Sequence, residues 1–398
     1  MHIGIFGRRN VGKSTLLNLV AGQEASLVSP TPGTTADPVE KPMEFIPLGP
    51  VLWIDTAGID DEGDLGKLRS DRARRIIDRA DLAVLVFAGE WGAYEQELFA
   101  ECQSRGTPVI AVANKIDLGV EAASPAGLPP GLVPVRMAAA SGLGLEDLRQ
   151  AVLASAPADF IESPALIRDL FNPGDHVVLV TPIDKEAPKG RLILPQVQTL
   201  RDVLDGGGMA MVCRETELAG ALAKLKSPPA LVVTDSQAFK KVAAVVPPEV
   251  PLTGFSILFA RAKGDLAAFA RGAAAIGGLR DGEVALVAES CTHYQEDDDI
   301  GRVKLPAWIR ARCGANPEFR FLAGHDFPAD LSGISLVLHC GACMTNRRAV
   351  LSRIARCRAA GKPIVNYGLA IAYCHGLLER ALAVFPEALA AYREAVGR

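Results

Sequence analysis

The sequence lacks a dominant charge, a long apolar run and a basic stripe. Its formal net charge is −4, with lysines and arginines scattered along the chain, so no large nucleic-acid footprint is indicated. No run approaches the roughly 20 apolar residues that a membrane-spanning helix needs. The pair Arg8-Arg9 is followed by no apolar region of an export signal. These absences predict a cytoplasmic protein that engages neither nucleic acid nor membrane. Cysteine is also sparse, at eight in 398 residues. That argues against a disulfide framework in a cytosolic chain of this length and directs attention to metal or redox chemistry where cysteines cluster. There is no internal repeat and no low-complexity segment.

What is present is ordinary globular material, 49% apolar, in three series of alternating strands and helices. The alternation predicts an α/β protein with parallel sheets covered by helices. In the first series the expected strands are His2–Phe6, Val51–Ile54, Leu82–Phe87 and Val109–Ala113, and the helices include Ser14–Val20, Gly66–Arg79 and Gln96–Ser104. The second has strands at Val177–Ile183, Ala210–Cys213 and Ala230–Val233. The third has strands at Val284–Ala288, Phe319–Leu322, Ile334–Leu338 and Pro363–Val365, with helices Arg348–Ala360 and Ala370–Leu382. Proline-rich breaks near Ala156-Pro157 and Ser163-Pro164 separate the first series from the rest. The expected domains are residues 1–158, 165–263 and 264–398.

Gly7-Arg8-Arg9-Asn10-Val11-Gly12-Lys13-Ser14 fits G-x-x-x-x-G-K-[ST] between a strand and a helix. Gly7 and Gly12 let backbone N–H groups wrap phosphates at a helix N-terminus. Lys13 reaches the β- and γ-phosphates, Ser14 takes Mg²⁺, and Thr15 follows in the nucleotide-binding set. Asp55-Thr56-Ala57-Gly58 ends the next strand: Asp55 holds Mg²⁺ through water and the Gly58 N–H meets the γ-phosphate. Asn114-Lys115-Ile116-Asp117 ends a third strand, where the Asp117 carboxylate accepts from both N1–H and the exocyclic amine of guanine. Adenine lacks that donor pair, so this is a GTP site on a Ras-like P-loop GTPase domain.

The stretch resembles the GTPases that include the tRNA-modification protein MnmE and the ribosome-assembly protein Era. The resemblance implies that Thr35 is the switch threonine closing on Mg²⁺. It also matches Asn10 to an asparagine that helps coordinate K⁺ beside the phosphates; the alternative for Asn10 is a simple loop-capping residue. The base-contacting loop, usually Ser-Ala-Lys, reads Ala138-Ala139-Ala140, with Ala139 left to supply a backbone contact. Ile59 stands where Ras-like enzymes carry a water-orienting glutamine, which predicts slow intrinsic hydrolysis, stimulated by K⁺.

Far downstream lie Cys291-Thr292-His293 and, after 45 intervening residues, His339-Cys340-Gly341-Ala342-Cys343. Both follow strands, and ligand sites in open parallel sheets gather outside the strands' carboxyl ends. Three readings fit this spacing: zinc held by Cys₃His, a 4Fe-4S cluster with one iron left for another ligand, and a redox Cys-x-x-Cys pair.

This pattern resembles the HydF family, GTPases that serve in maturation of FeFe-hydrogenase. Val180-Thr181-Pro182-Ile183-Asp184, Ala187–Gln196, Asp299–Lys304 and Asn366–Tyr373 agree with it, so the likeness spans the chain. It implies a 4Fe-4S cluster on Cys291, Cys340 and Cys343 in an iron–sulfur cluster-binding domain, with His339, His293 or Glu289 as fourth ligand. It implies an α/β dimerisation domain in the middle and a homodimer. It further implies transient carriage of a diiron precursor with CO and CN⁻ ligands, between the radical-SAM maturases HydE and HydG and the FeFe-hydrogenase apoprotein. Thr345 is a candidate cap for the helix carrying Arg347 and Arg348. Cys102, Cys213, Cys313 and Cys357 lack partners at ligand spacing, and Cys374-His375 reads as core. The alternative function is a GTPase of tRNA modification or ribosome assembly with a structural zinc.

Overall fold

The computed structural model describes residues 1–22, 39–56, 74–119, 127–157, 160, 165–183, 192–290, 299–324, 327–328, 330–343 and 345–397. The chain divides into two compact units, Met1–Ser163 and Pro164–Arg398.

The first unit carries strands β1 (His2–Phe6), β2 (Val39–Phe45), β3 (Gly49–Asp55), β4 (Leu82–Phe87), β5 (Val109–Ala113) and β6 (Val135–Arg136). They form one sheet in the order β2-β3-β1-β4-β5-β6. All neighbours run parallel except the hairpin of β2 and β3. β4 is apolar and buried at every position, the pattern of a strand covered on both faces. Two clusters, one including Leu16, Trp53 and Val84 and the other Phe6, Leu85 and Phe87, pack on opposite faces. The antiparallel β2 has no counterpart among the expected strands. Its Val-Glu-Lys-Pro-Met-Glu-Phe alternation exposes every second side chain, and its proline obscures the strand pattern. Of the expected helix Gly66–Arg79, the described part begins at Arg74 and is helical to residue 77.

The second unit holds two four-stranded parallel sheets. One is ordered β10-β9-β7-β8 and the other β12-β11-β13-β14. Their strands are β7 (His176–Val180), β8 (Met209–Cys213), β9 (Leu231–Thr234), β10 (Leu252–Gly254), β11 (Val284–Glu289), β12 (Glu318–Ala323), β13 (Leu336–His339) and β14 (Ile364–Asn366). A single continuous apolar cluster runs from Leu166 to Tyr392 through both sheets. The helix Phe255–Lys263 is central to it, with Phe255, Ile257, Leu258, Phe259 and Ala260 all buried. Such an all-round apolar stretch has no amphipathic period to betray it, and neither it nor the three-residue β10 was legible in the sequence. The expected helix Ala370–Leu382 is two helices, Tyr367–Cys374 and Leu378–Leu382. Gly376, with φ of 72°, breaks the run.

Register sets the site. Ala288 of β11 pairs with His339 of β13, and His339 pairs with Asn366 of β14. Glu289, His339 and Asn366 therefore end their strands at one carboxyl edge.

The helix Leu266–Ala274 lies against β14 so closely that a Cβ at Gly272 would sit 1.9 Å from the Ile364 carbonyl oxygen. Gly272→Ala should therefore destabilise the second unit by about 1–3 kcal/mol, despite alanine's better helix propensity. Denaturant melts followed in the full chain check this, and an unchanged or raised midpoint would contradict the close approach.

Candidate functional site

The first unit's loop Gly7–Gly12 joins β1 to the helix Lys13–Ala21. Gly7 has φ of 147°, and a Cβ there would meet the Val86 carbonyl oxygen at 2.1 Å, so only glycine fits. Asn10 is left-handed, with φ of 59°, a conformation that asparagine tolerates. The buried Lys13 Nζ donates to the Gly7 carbonyl at 2.8 Å and the Arg8 carbonyl at 2.7 Å. Its ammonium thus gathers the loop. Arg8 Nε donates to the buried Glu95 Oε1 at 2.8 Å, and its guanidinium also donates to the Glu90 carbonyl at 2.7 Å. Glu95 Oε2 accepts from the Gly92 N–H at 3.0 Å. This tether of the loop to the helix Ala93–Ser104 was not foreseen, because no motif links Arg8 to a glutamate 87 residues on.

Ser14 Oγ donates to Asp55 Oδ2 at 2.5 Å. The other carboxylate oxygen, Asp55 Oδ1, is buried without a hydrogen-bond partner. Burial pushes the Asp55 carboxyl above its usual range, against the opposing pulls of the Ser14 hydroxyl and the Lys13 ammonium. A hydroxyl and an under-satisfied carboxylate side by side are a hard-oxygen donor set that fits Mg²⁺. At the base end, Asn114 Nδ2 donates to the Val11 carbonyl at 2.8 Å, and Asn114 Oδ1 accepts from the Ala139 N–H at 2.9 Å. One amide therefore ties the phosphate loop to the Ala138-Ala139-Ala140 turn. Lys115 is left-handed, with φ of 64°, and Asp117 beyond it is exposed. Thr35, Gly58 and Ile59 lie outside the described residues.

The second candidate site is the turn after β13. Cys340 N donates to the Ala288 carbonyl at 3.0 Å, extending the ladder by one residue. The Ser290 N–H donates to Cys340 Sγ at 3.2 Å. Burial alone would raise the Cys340 thiol; the His339 imidazole, the Ser290 contact and the Ala342 N–H overcome it and bring the thiol down to about 6. A thiolate is the form that binds metal. Ala342 is left-handed, with φ of 54°, a strained conformation of the kind kept at functional loops.

Beneath the turn lies Lys263, the last residue of the helix Phe255–Lys263. Its Nζ donates to the carbonyls of Ala342 at 2.8 Å, Cys343 at 2.9 Å and Thr345 at 2.9 Å. Burial lowers the ammonium to about 8, while Cys343 and Cys340 pull it up. His339 is fully buried. Its Nδ1 lies 2.8 Å from the Cys340 carbonyl, and its Nε2 lies 3.1 Å from the Arg353 guanidinium. Guanidinium only donates and carbonyl only accepts, so the proton sits on Nδ1 and Nε2 accepts. Arg353 also donates to Ser290 Oγ at 3.0 Å and to the Gly324 carbonyl at 3.0 Å. Glu289 is buried and accepts from Arg302 at 3.2 Å and from the Tyr367 hydroxyl at 3.5 Å.

Cys291 and His293 lie outside the described residues. Among the described residues no group of three or more His, Cys, Asp or Glu converges on a metal position. Cys340 and Cys343 are brought together on one turn, backed by two basic side chains. Asn346, not Thr345, caps the following helix: its Oδ1 accepts from the Ala349 N–H at 3.3 Å. The Thr345 hydroxyl is instead buried without a partner. Arg347 turns back and donates to the Ala262 carbonyl at 2.9 Å. Neither Lys263 nor Arg353 carries a sequence signal, because each acts on the loop from another element. No helix among the described residues is long and apolar enough to cross a membrane.

The raised Asp55 pKa has a defined consequence. Ionisation costs the nucleotide-free fold stability as pH rises through the folded value, and that cost is absent below the unfolded value. Asp55→Asn should therefore hold or raise the melting temperature of nucleotide-free protein at pH 7, with the gain vanishing in acid. It should also abolish the Mg²⁺-dependent part of the stabilisation by GTP. Thermal melts across pH, with and without Mg²⁺, check both; a Mg²⁺ effect that survives the substitution would contradict the assignment.

Comparison with known proteins matches each segment. Residues 2–115 match the family described as 50S ribosome-binding GTPase. Residues 166–264 match the hydrogen maturase F dimerization domain, and residues 267–384 the hydrogen maturase F tetramerization domain. Similar proteins include the tRNA modification GTPase MnmE of Cyanothece sp., 37% identical over 173 residues, which are 42% of this chain and 36% of that protein. The MnmE of Parasynechococcus marenigrum is 40% identical over 160 residues, 38% of this chain and 33% of that protein. That of Desulfotalea psychrophila is 38% identical over 154 residues, 37% and 33% of the two. The chain spans about a third of the length of these relatives. More than half of the chain matches the two maturase domains. The chain belongs to the hydrogen maturase F family, and its first unit carries a GTPase domain similar to that of the MnmE proteins.

Proposed function

We propose that this chain is a GTP-hydrolysing scaffold that holds a 4Fe-4S cluster and carries a diiron precursor with CO and CN⁻ ligands to the FeFe-hydrogenase apoprotein. The observation that carries the reading is the Cys340–Cys343 turn, with its lowered thiol and its basic neighbours, Arg353 buried and Lys263 half-buried, inside a segment that matches a maturase domain. In this reading Cys291, Cys340 and Cys343 hold the cluster. The cluster supplies an iron with an exchangeable position, suited to a cargo that arrives and leaves. The His339 ring nitrogens are already engaged, which favours His293 or the Glu289 carboxylate as the replaceable fourth ligand. The radical-SAM maturases HydE and HydG are the partners that deliver the precursor.

In the GTPase domain, Lys13 exchanges its loop carbonyls for the β- and γ-phosphates. Ser14, Asp55 and Thr35 surround Mg²⁺, and the Gly58 N–H meets the γ-phosphate. Asp117 reads guanine. Asn10 helps hold a K⁺ that offsets transition-state charge, as an arginine does elsewhere. Slow hydrolysis, with Ile59 in the glutamine position, suits a timer for docking and release. The edge strand β8 leaves Met209 and Val212 exposed, which supports a homodimer joined through this sheet. Cytoplasmic residence agrees with a cysteine content of eight in 398 residues. The similarity to the tRNA modification GTPases covers 42% of this chain or less in the relatives above, and the GTPase family match lies at residues 2–115, so it supports the nucleotide chemistry and not a role on RNA.

The test is in vitro activation of apo-hydrogenase with the wild-type chain and the Cys340→Ser, Cys343→Ser and Lys13→Ala variants side by side. The cysteine variants should lose at least about tenfold in activation while retaining GTP hydrolysis. Lys13→Ala should lose hydrolysis. Cysteine variants that activate as well as wild type would overturn the carrier reading.

A further inference from the structure

We propose that Lys263 is the positioning residue of the cysteine turn, gathering its carbonyls on one side so that the opposite side is left to an anionic, thiolate-bound iron–sulfur group. The inference rests on the cluster reading above for the identity of the group, and on geometry for the rest. Three carbonyls within six residues, those of Ala342, Cys343 and Thr345, converge on one ammonium at 2.8–2.9 Å. An ammonium has three hydrogens, so all three are used on neutral acceptors. Each trans peptide carries its N–H on the side opposite its carbonyl. Drawing the carbonyls of Ala342 and Thr345 toward Lys263 therefore turns the N–H groups of Cys343 and Asn346 the other way, and left-handed Ala342 supplies the bend of a concave anion site. The Ala342 N–H, in the peptide just before those carbonyls, acts on the Cys340 sulfur, and the Ser290 N–H reaches the same sulfur from β11's end.

Charge points the same way. A buried ammonium is costly unless an opposite charge lies near. Lys263 is half-buried, and the turn it holds carries the sulfurs of Cys340 and Cys343. The hydrocarbon side is covered by Phe259, whose ring centroid is 5.0 Å from Nζ. A fixed positive charge behind two ligand sulfurs favours the more negative, reduced state of whatever they bind. Lys263 falls within the matched dimerization segment and the turn within the matched tetramerization segment, so one side chain ties the two segments together at the site.

Two measurements on the full chain test this, using Lys263→Met, Lys263→Gln and Lys263→Arg. The first is amide hydrogen exchange in metal-free protein. Peptides spanning the turn should exchange about tenfold faster in Lys263→Met, matching about 1.4 kcal/mol of lost local protection. Lys263→Arg should recover most of the protection. Unchanged exchange in the turn would overturn the positioning role whether or not a cluster ever binds. The second is redox titration of the anaerobically reconstituted cluster followed by electron paramagnetic resonance. At fixed poise the reduced-to-oxidised ratio should fall about tenfold in Lys263→Gln, which for one electron is about 59 mV, and stay near wild type in Lys263→Arg. Equal potentials in all three variants would overturn the electrostatic half. A wild-type chain that takes up no cluster would overturn the cluster reading and the electrostatic half together, with the exchange result still standing on its own.

Discussion

A lysine ammonium that collects backbone carbonyls, buried in one case and half-buried in the other, holds each of the two sites. Lys13 takes those of Gly7 and Arg8, and Lys263 takes those of Ala342, Cys343 and Thr345. Both loops contain a non-glycine residue at positive φ, Asn10 in one and Ala342 in the other, a conformation that costs on the order of 1–2 kcal/mol. The ammonium offsets that cost by bringing charged donors to the carbonyls that converge on it. In the proposed arrangement, N–H groups of both loops face an anion. The phosphate loop uses this for a nucleotide; the cysteine turn offers the same arrangement to thiolates and what they bind.

The parallel sheets supply the frame on which these loops sit. β1 and β3 deliver the phosphate loop and Asp55 to one carboxyl edge. β11, β13 and β14 deliver Glu289, His339 and Asn366 to another. Behind β13, Arg353 fixes the His339 tautomer, so the residue preceding Cys340 is held by hydrogen bonds on both ring nitrogens. Asn366 Nδ2 donates to the Cys340 carbonyl at 3.2 Å, adding a second hold on the same peptide. The cysteine turn is thus anchored from three directions, by β14, by the helix after it and by the helix that ends at Lys263.

Much of this was legible in the sequence where chemistry demands a fixed local pattern. The P-loop, Asp55 and Asn114 fall where the motifs place them because each requires a strand end beside a particular loop. The buried valine- and leucine-rich strands β4, β7 and β11 were legible because strands covered on both faces are continuously apolar. β2 was not, since it alternates and contains a proline, and β10 is too short to carry a pattern. The helix Phe255–Lys263 was hidden by being apolar all round. Lys263, Arg353 and Glu95 were hidden for a different reason. Each works on a loop distant in sequence, so only tertiary packing reveals the partner. The capping assignment went to Thr345 on residue type, and Asn346 holds it because its carboxamide reaches the Ala349 N–H.

On the proposed function, the cysteine turn takes an iron–sulfur group rather than structural zinc or a bare dithiol. Anaerobic reconstitution of the full chain with iron and sulfide, with zinc offered in competition, tests it most directly. The account predicts about four irons and matching acid-labile sulfide per chain, with broad charge-transfer absorption. Stoichiometric zinc that resists exchange for iron, with no such absorption, would contradict it.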